Sequence, residues 1–467
     1  MTTKLATALY AAFILGLFWL DRDRKDRVSP AVWLSVFWMS ISCSRFVSQW
    51  LHPEPLGVVS TSDTPDRYLE GDSMDRVILG IVIFLAVVIL IRRGRRVGAL
   101  LRMNGPLLLF FVYCAVSTLW SDYPGVAFKR WIKAVGDVLM ILLVLSDAHP
   151  VAAIKKFLSG VGFVLVPVSI MLIKYYPDLG RGYNPWVWTP YVVGVTTSKN
   201  FLGLLCLIFG LASEWRFLEA LRGPKTRGRM GVMLAHASIL AMVAWLLWKA
   251  NSMTSLSCLI MGSGLIILAG MKITRRKPII LHLAVVCVLG LAISALFLNL
   301  GSGLVEDMGR DPTLTGRTEI WHLVLGMTGN SMFGTGFESF WLGDRLEKIW
   351  RIYWWHPNEA HDGYLEVYLN LGWVGVTLLG LLIVTGYRNA LATLKRNPSV
   401  GKLRLAYLII ALAYNFTESA VRTMHPMWII FLFAAIAVPD LTPVRKSAKA
   451  VPKETHAPPA DLVLDQV

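Results

Sequence analysis

The sequence predicts an all-α polytopic membrane protein of about 12–13 transmembrane helices, with a long extramembrane loop bearing short amphipathic helices. Three observations lead there. Of 467 residues, 55% are hydrophobic and 16% charged, where a soluble domain carries about 25% charge. Mean hydropathy is +0.56. Apolar runs of about 15 to 23 residues recur between basic loops, long enough to cross a hydrocarbon core of about 30 Å as helices. An outer-membrane barrel is excluded, because its strands would alternate apolar and polar residues over segments of about ten.

Taken in order, the runs at 5–20, 29–50, 77–91, 103–120, 131–147, 153–173, 200–218, 230–249, 253–271, 279–300, 364–386, 403–421 and 426–440 read as spans. The first follows Lys4 as a signal peptide would, but no small-residue cleavage site precedes the charged stretch 21–27, so it is read as a span. The last is short and starts at Pro426, which suits a tilted or re-entrant helix as well as a full crossing. Counted over alternate connections, 29 of the 46 Lys and Arg fall on one side and 17 in the much longer segments of the other. The basic side is therefore expected to be cytoplasmic, and the C-terminus with it.

The expected organisation is one transmembrane domain over 1–440 and a cytoplasmic tail, 441–467, whose Pro, Ala and charge predict disorder. Three substantial segments fall outside: 51–76, 174–199 and the 63-residue 301–363 before the last spans. A connection that long is usually functional. Within it Leu342, Leu346, Ile349, Trp350 and Tyr353 keep helical spacing, which predicts an amphipathic helix at the membrane surface.

The net charge of +16 does not imply a nucleic-acid partner, because the basic residues sit in short clusters rather than along one stripe. Cys43, Cys114, Cys206, Cys258 and Cys287 lie in or beside apolar runs, which predicts buried thiols and no disulfide framework. Lys133 and Asp137, four apart in one span, are expected to neutralise each other.

Chemistry concentrates in 313–368, where Arg317, Glu319, His322, Glu338, His356, Glu359, His361, Asp362 and Glu366 are interleaved with Trp321, Trp341, Trp350, Trp354 and Trp355. His356 and His361 are five apart with Pro357 between, a spacing that does not place two metal ligands on one helix face; no metal or other cofactor is expected. Asp362 is a natural N-cap for the following span. Arg317 reads either as a snorkelling interfacial residue or as a clamp for an anion such as a lipid phosphate. Lys199, where the 174–199 segment enters a span, is a positive flank or a second phosphate contact. Trp186, Trp188, Trp354 and Trp355 could stack on sugar faces or form an aromatic belt.

The stretches KRWIKAVGD at 129–137, TTSKNFLG at 196–203, TLTGRTEIW at 313–321 and AHDGYLEVYLNLGWVG at 360–375, with the long loop before the last spans, resemble the O-antigen ligase and O-antigen polymerase superfamily of bacterial membrane glycosyltransferases. The resemblance runs from about residue 75 to 435 and leans to the exopolysaccharide-production branch. It implies an enzyme of the bacterial inner membrane that moves a glycan from undecaprenyl diphosphate to an acceptor at the periplasmic face. The acceptor is a second carrier-linked repeat unit in a polymerase or the lipid A core in a ligase; other polysaccharide-assembly proteins are potential partners. It also implies that Arg317 binds the donor diphosphate and that His361 lies at the reacting centre; on chemical grounds Lys199 is expected to join Arg317 at the diphosphate, and His361 to act as general base helped by Glu338 or Glu366. The family's histidine is often followed by Asn, where this chain has Asp362, which leaves that neighbour's role open.

The chemistry of the residues is compatible with this. Breaking a sugar–diphosphate bond leaves charge on phosphate, which fixed cations stabilise most in the transition state. The competing reading is a polysaccharide or lipid-linked oligosaccharide transporter, a flippase without catalysis. That fold would show matching halves with broken helices at the midplane, and the two halves of this sequence do not match.

Overall fold

The computed structural model describes residues 2–22, 27–53, 69, 71–183, 189–224, 228–297 and 315–439. Trp186, Trp188, most of 51–76, residues 301–314 and the 441–467 tail lie outside them. The regular secondary structure of the described residues is helical apart from a two-stranded antiparallel hairpin, Arg181–Tyr183 with Pro190–Val192.

The helices that matter for the site are, in order, α1 Thr3–Leu20, α2 Val32–Ser42, α3 Ser73–Arg92, α4 Gly94–Met103, α5 Gly105–Ser117, α6 Pro124–Leu145, α7 Pro150–Tyr175, α8 Lys199–Arg222, α9 Arg229–Ala250, α10 Met253–Ala269, α11 Ile279–Phe297, α12 Thr315–Gly326, α13 Gly343–Ile352, α14 Gly363–Arg396, α15 Pro398–Tyr414 and α16 Pro426–Ala435. Each of the thirteen expected spans coincides with one of these helices. By length and apolar composition six of them (α1, α3, α7, α8, α9 and α14) can cross a membrane alone, and α4 with α5 forms a bent pair that raises the number to seven. The others fall short for identifiable reasons. α6 carries Lys129, Arg130, Lys133 and Asp137, α15 carries Lys402 and Arg404, and α2, α10 and α16 are short.

Burial separates the lipid-facing helices from the core. In α1 only Ala6 and Leu17 are buried, whereas every residue of α16 and every residue of α15 from Val400 onward is covered. A helix apolar all round must be enclosed, and here α8, α10, α14 and α16 enclose α15. The buried Arg404 of α15 gives its guanidinium to Thr393 Oγ1 and to the carbonyls of Ala434 and Ile436, which the end of α16 leaves open. Cys43, Cys114, Cys206 and Cys258 are buried as expected, and Cys287 on α11 is exposed.

Two interruptions shape the bundle. α4 meets α5 at 87°, broken at the buried Asn104, whose side chain donates to Leu100 and exchanges hydrogen bonds with the backbone of Ala437. α14 breaks at Gly372, where φ is 62° and ψ −165°. The freed backbone groups pair with segment 331–336: Thr335 and Gly336 donate to the carbonyls of Leu369 and Asn370, while Trp373 and Val374 donate to Ser331 and Met332. Non-helical backbone at a broken span is tolerated only when its polar groups are satisfied in this way.

The expected amphipathic helix is α13, but its apolar stripe does not face lipid. Leu346, Ile349 and Trp350 are buried in a second, smaller core with Ile320 and Val324 of α12, Phe340, Ala360 and Leu369. From Thr315 onward the long loop is thus a packed cap with its own interior.

Candidate functional site

Asp362 caps α14, accepting from the N–H groups of Tyr364 and Leu365 at 2.8 Å each. The next residue, Gly363, donates its N–H to the carbonyl of Asn415 at 2.8 Å, and a Cβ there would fall 2.0 Å from Asn415 Oδ1. This close approach presses the 353–362 turn against the 415–425 turn between α15 and α16.

Where the turns meet, charged groups converge. His361 Nδ1 lies 3.1 Å from Glu359 Oε1 and 3.8 Å from Glu418 Oε2, both ion-pair separations. Glu359 also accepts from Arg422 at 2.7 Å, and Glu418 from Asn200 at the start of α8 at 3.3 Å. Arg317 reaches in from α12 and donates to the carbonyl of Thr417 at 3.1 Å. Arg422 and His361 remain 47% and 38% exposed, so the cluster opens outward.

Burial disfavours the His361 imidazolium, but Glu359 and Glu418 outweigh it and push the pKa up to about 9. Burial raises Glu359, and His361 and Arg422 overcome that, bringing it down to about 2. His425, buried beside Arg422, is pushed down to about 3; as a neutral ring its Nδ1 accepts from Met427 N–H. Glu359, His361 and Glu418 can each bring one ligand atom within 4.8 Å of the others, a set able to hold a cation, although Arg422 already supplies positive charge to it.

Glu338 and Glu366 stand behind this cluster. The buried Glu366 carboxylate accepts from Trp341 Nε1 at 3.0 and 2.9 Å and from Ala360 N–H at 2.6 Å, which holds the 353–362 turn. Glu338 Oε1 accepts from Thr423 N–H at 2.5 Å. Asp137 accepts from Trp38 Nε1 and from Met424 N–H, at 2.8 and 2.9 Å. Its carboxylate therefore anchors the 415–425 turn, whereas sequence spacing paired it with Lys133. A cavity of ≈ 30 Å³ lies between Phe110, Glu338, Glu366 and Arg422, room for about one water.

Non-glycine residues with positive φ gather here. Among the described residues they are Asn251, Glu338, His356, His361 and Met424, and the last four lie in the cap or the 415–425 turn. Such conformations cost of order 1–3 kcal/mol each and persist where surrounding contacts impose them.

Of the sequence-predicted site residues, Arg317 and His361 are brought to the cluster. Lys199 is exposed at the first turn of α8, next to Asn200. Trp354 is exposed on the 353–362 turn with Trp355 edge-on at 6.4 Å. His356 stacks on Trp350 at 4.2 Å. Glu359, Glu418, Arg422 and Asn200 complete the cluster: Glu359 belongs to the chemical segment read from sequence, Glu418 and Arg422 are boundary ionisable groups near the outer ends of late spans that the sequence leaves without a named partner, and Asn200 was not selected. The signal that marks Glu418 and Arg422 is ionisable residues at the end of an apolar run with no local partner, which calls for one elsewhere.

A family model described as O-antigen ligase matches residues 226–380, from the start of α9 to the first half of α14, and contains Arg317, Glu338, His361 and Glu366. The chain is 22% identical over 288 residues to the exopolysaccharide production protein ExoQ of Rhizobium meliloti, which covers 60% of this chain and 63% of that protein. It is also 32% identical over 96 residues to protein NrfD of Escherichia coli, 20% of this chain and 30% of that one. The chain thus spans less than two thirds of either relative. With its helical, multi-pass architecture, the chain is similar to the O-antigen ligase family over residues 226–380 and to an exopolysaccharide production protein over 60% of its length.

Proposed function

We propose that the protein is a glycosyltransferase of cell-surface polysaccharide or lipopolysaccharide biosynthesis. It moves a glycan from undecaprenyl diphosphate to a carrier-linked repeat unit or a lipid A core. The reaction takes place at the periplasmic face of the bacterial inner membrane, with the C-terminus cytoplasmic. The observation that carries the reading is the outward-opening cluster of Arg317, His361 and Arg422 with Glu359 and Glu418, in a chain similar to the O-antigen ligase family over residues 226–380.

The donor diphosphate is received by Arg317 and Arg422, with Lys199 at the rim, since guanidinium presents paired donors to phosphate oxygens. When Arg422 turns to phosphate it releases Glu359, and the Glu359–His361 pair takes the proton of the attacking hydroxyl. The new bond joins that oxygen to the sugar's anomeric carbon; the bond to phosphate breaks, and the diphosphate leaves as an anion stabilised by the cations. His361, held as imidazolium at rest, acts from the protonated side of this pair. Glu366 and Glu338 position the two turns through the hydrogen bonds they accept. Trp354 and Trp355, with Trp186 and Trp188, hold the glycan. No metal is needed, because the positive charge is supplied by side chains.

The test is transfer of a labelled glycan from its undecaprenyl diphosphate carrier in proteoliposomes, with nucleotide absent and EDTA present. Transfer by the wild type, lost in Arg317→Ala and His361→Ala proteins that remain folded, is the expected result. Carrier that crosses the bilayer with its glycan attached, indifferent to both substitutions, would make the protein a flippase.

A further inference from the structure

At the other end of α14 from His361, a cavity of ≈ 300 Å³ opens between α14, α16 and the α4–α5 junction. Arg388 lies 25 residues after Gly363 on this helix, roughly 35 Å along it at the α-helical rise. The walls are of two kinds. Met103, Leu107 and Leu382 are apolar, while Arg388, Asn389 and Asn104 are polar. Both amides are already engaged, Asn104 with Leu100 and Ala437, and Asn389 with the carbonyl of Ala435. Arg388 is exposed and has no hydrogen bond or ion pair among the described residues.

The frame of the cavity places it at headgroup depth. α4, GRRVGALLRM, buries Leu100 and packs Val97 and Leu101 on the core while exposing Arg95, Arg96 and Arg102. It meets α5 at 87°, the geometry of a basic amphipathic helix lying in the interface beside one that enters the bilayer. A guanidinium over an apolar cleft at that depth matches a phosphate with acyl chains beneath it, and basic pockets between membrane helices hold anionic headgroups.

We propose that this cavity binds one anionic phospholipid, with its phosphate on Arg388 and the upper part of its acyl chains against Met103, Leu107 and Leu382. Free phosphate would use only the polar half of the walls.

The test uses the full chain, delipidated, placed in phosphatidylcholine nanodiscs and titrated with phosphatidylglycerol, with bound lipid counted by native mass spectrometry. One phosphatidylglycerol is expected to stay bound. Arg388→Gln, which removes a charge-assisted contact, should weaken retention about tenfold or more. Ala392→Trp, which fills the cavity and keeps the charge, should abolish retention and keeps the test decisive if Arg388→Gln does not fold. Millimolar inorganic phosphate should leave the lipid in place. Equal retention by wild type and a folded variant, equal binding of phosphatidylcholine, or displacement by inorganic phosphate would overturn the proposal.

Discussion

His361 owes its charge to two neighbours rather than to its own ring. Its pKa stands above the ordinary 6.5, at about 9, so the stability its ion pairs contribute is complete below pH 6.5 and is lost as pH rises through about 9. Glu359 is the mirror case: lowered from 4.5 to about 2, it contributes above pH 4.5 and loses that contribution as pH falls through about 2. We expect Glu359→Gln to move the His361 titration midpoint down toward 6.5, followed by NMR of ring-labelled histidine. An unmoved midpoint would show that Glu418 alone sets it. Glu366 holds its turn differently, through donors that leave its carboxylate no orphan. Trp341→Phe removes one of those donors and should cost about 1–3 kcal/mol, read as a lower thermal midpoint in detergent with the fold retained.

The element that decides the site's shape is α14. Its break at Gly372 opens carbonyl and N–H groups that the 331–336 segment satisfies together with Tyr113, whose hydroxyl donates to the Leu371 carbonyl, and a Cβ at Gly372 would come 2.3 Å from the Met332 backbone. Gly372→Ala is therefore expected to destabilise by about 3 kcal/mol or more, from a backbone region reserved for glycine plus the clash. Limited proteolysis should then cut within 331–336, and a segment as resistant as in the wild type would refute the docking role. The spacing of Leu342, Leu346, Ile349 and Trp350 made α13 legible in the sequence. What its stripe packs against was not, because an apolar stripe suits lipid and protein equally well.

At the scale of the whole molecule, a buried charge network ties together several helices. Asp21 after α1 accepts from Arg216 of α8 at 2.8 Å, with His236 of α9 at 3.4 Å. Arg216 also pairs with Glu219 at 2.7 Å, and Glu219 with Lys155 of α7 and with Ser399 of α15. Removing one partner from such a network strands the rest, so Arg216→Met should cost about 3–5 kcal/mol. The Asp21→Asn, Arg216→Met double variant should recover part of it, measured as thermal midpoints in the same detergent. Strict additivity of the two losses would argue against the coupling.

The all-helical membrane class, the places of thirteen helices, the cap at Asp362 and the choice of Arg317 and His361 as candidate site residues could be read from the sequence alone. Each of these is carried by a local signal: apolar length, a capping side chain, or a motif within a few residues. Only the tertiary structure decided that His361 meets Glu418, that Arg422 pairs with Glu359 across 63 positions, and that Asp137 anchors Met424 rather than Lys133. It also decided that α15, with two internal charges, lies in the centre. Partners so far apart in the chain are chosen by how helices pack, and a charge in an apolar run states that it needs a partner without saying which.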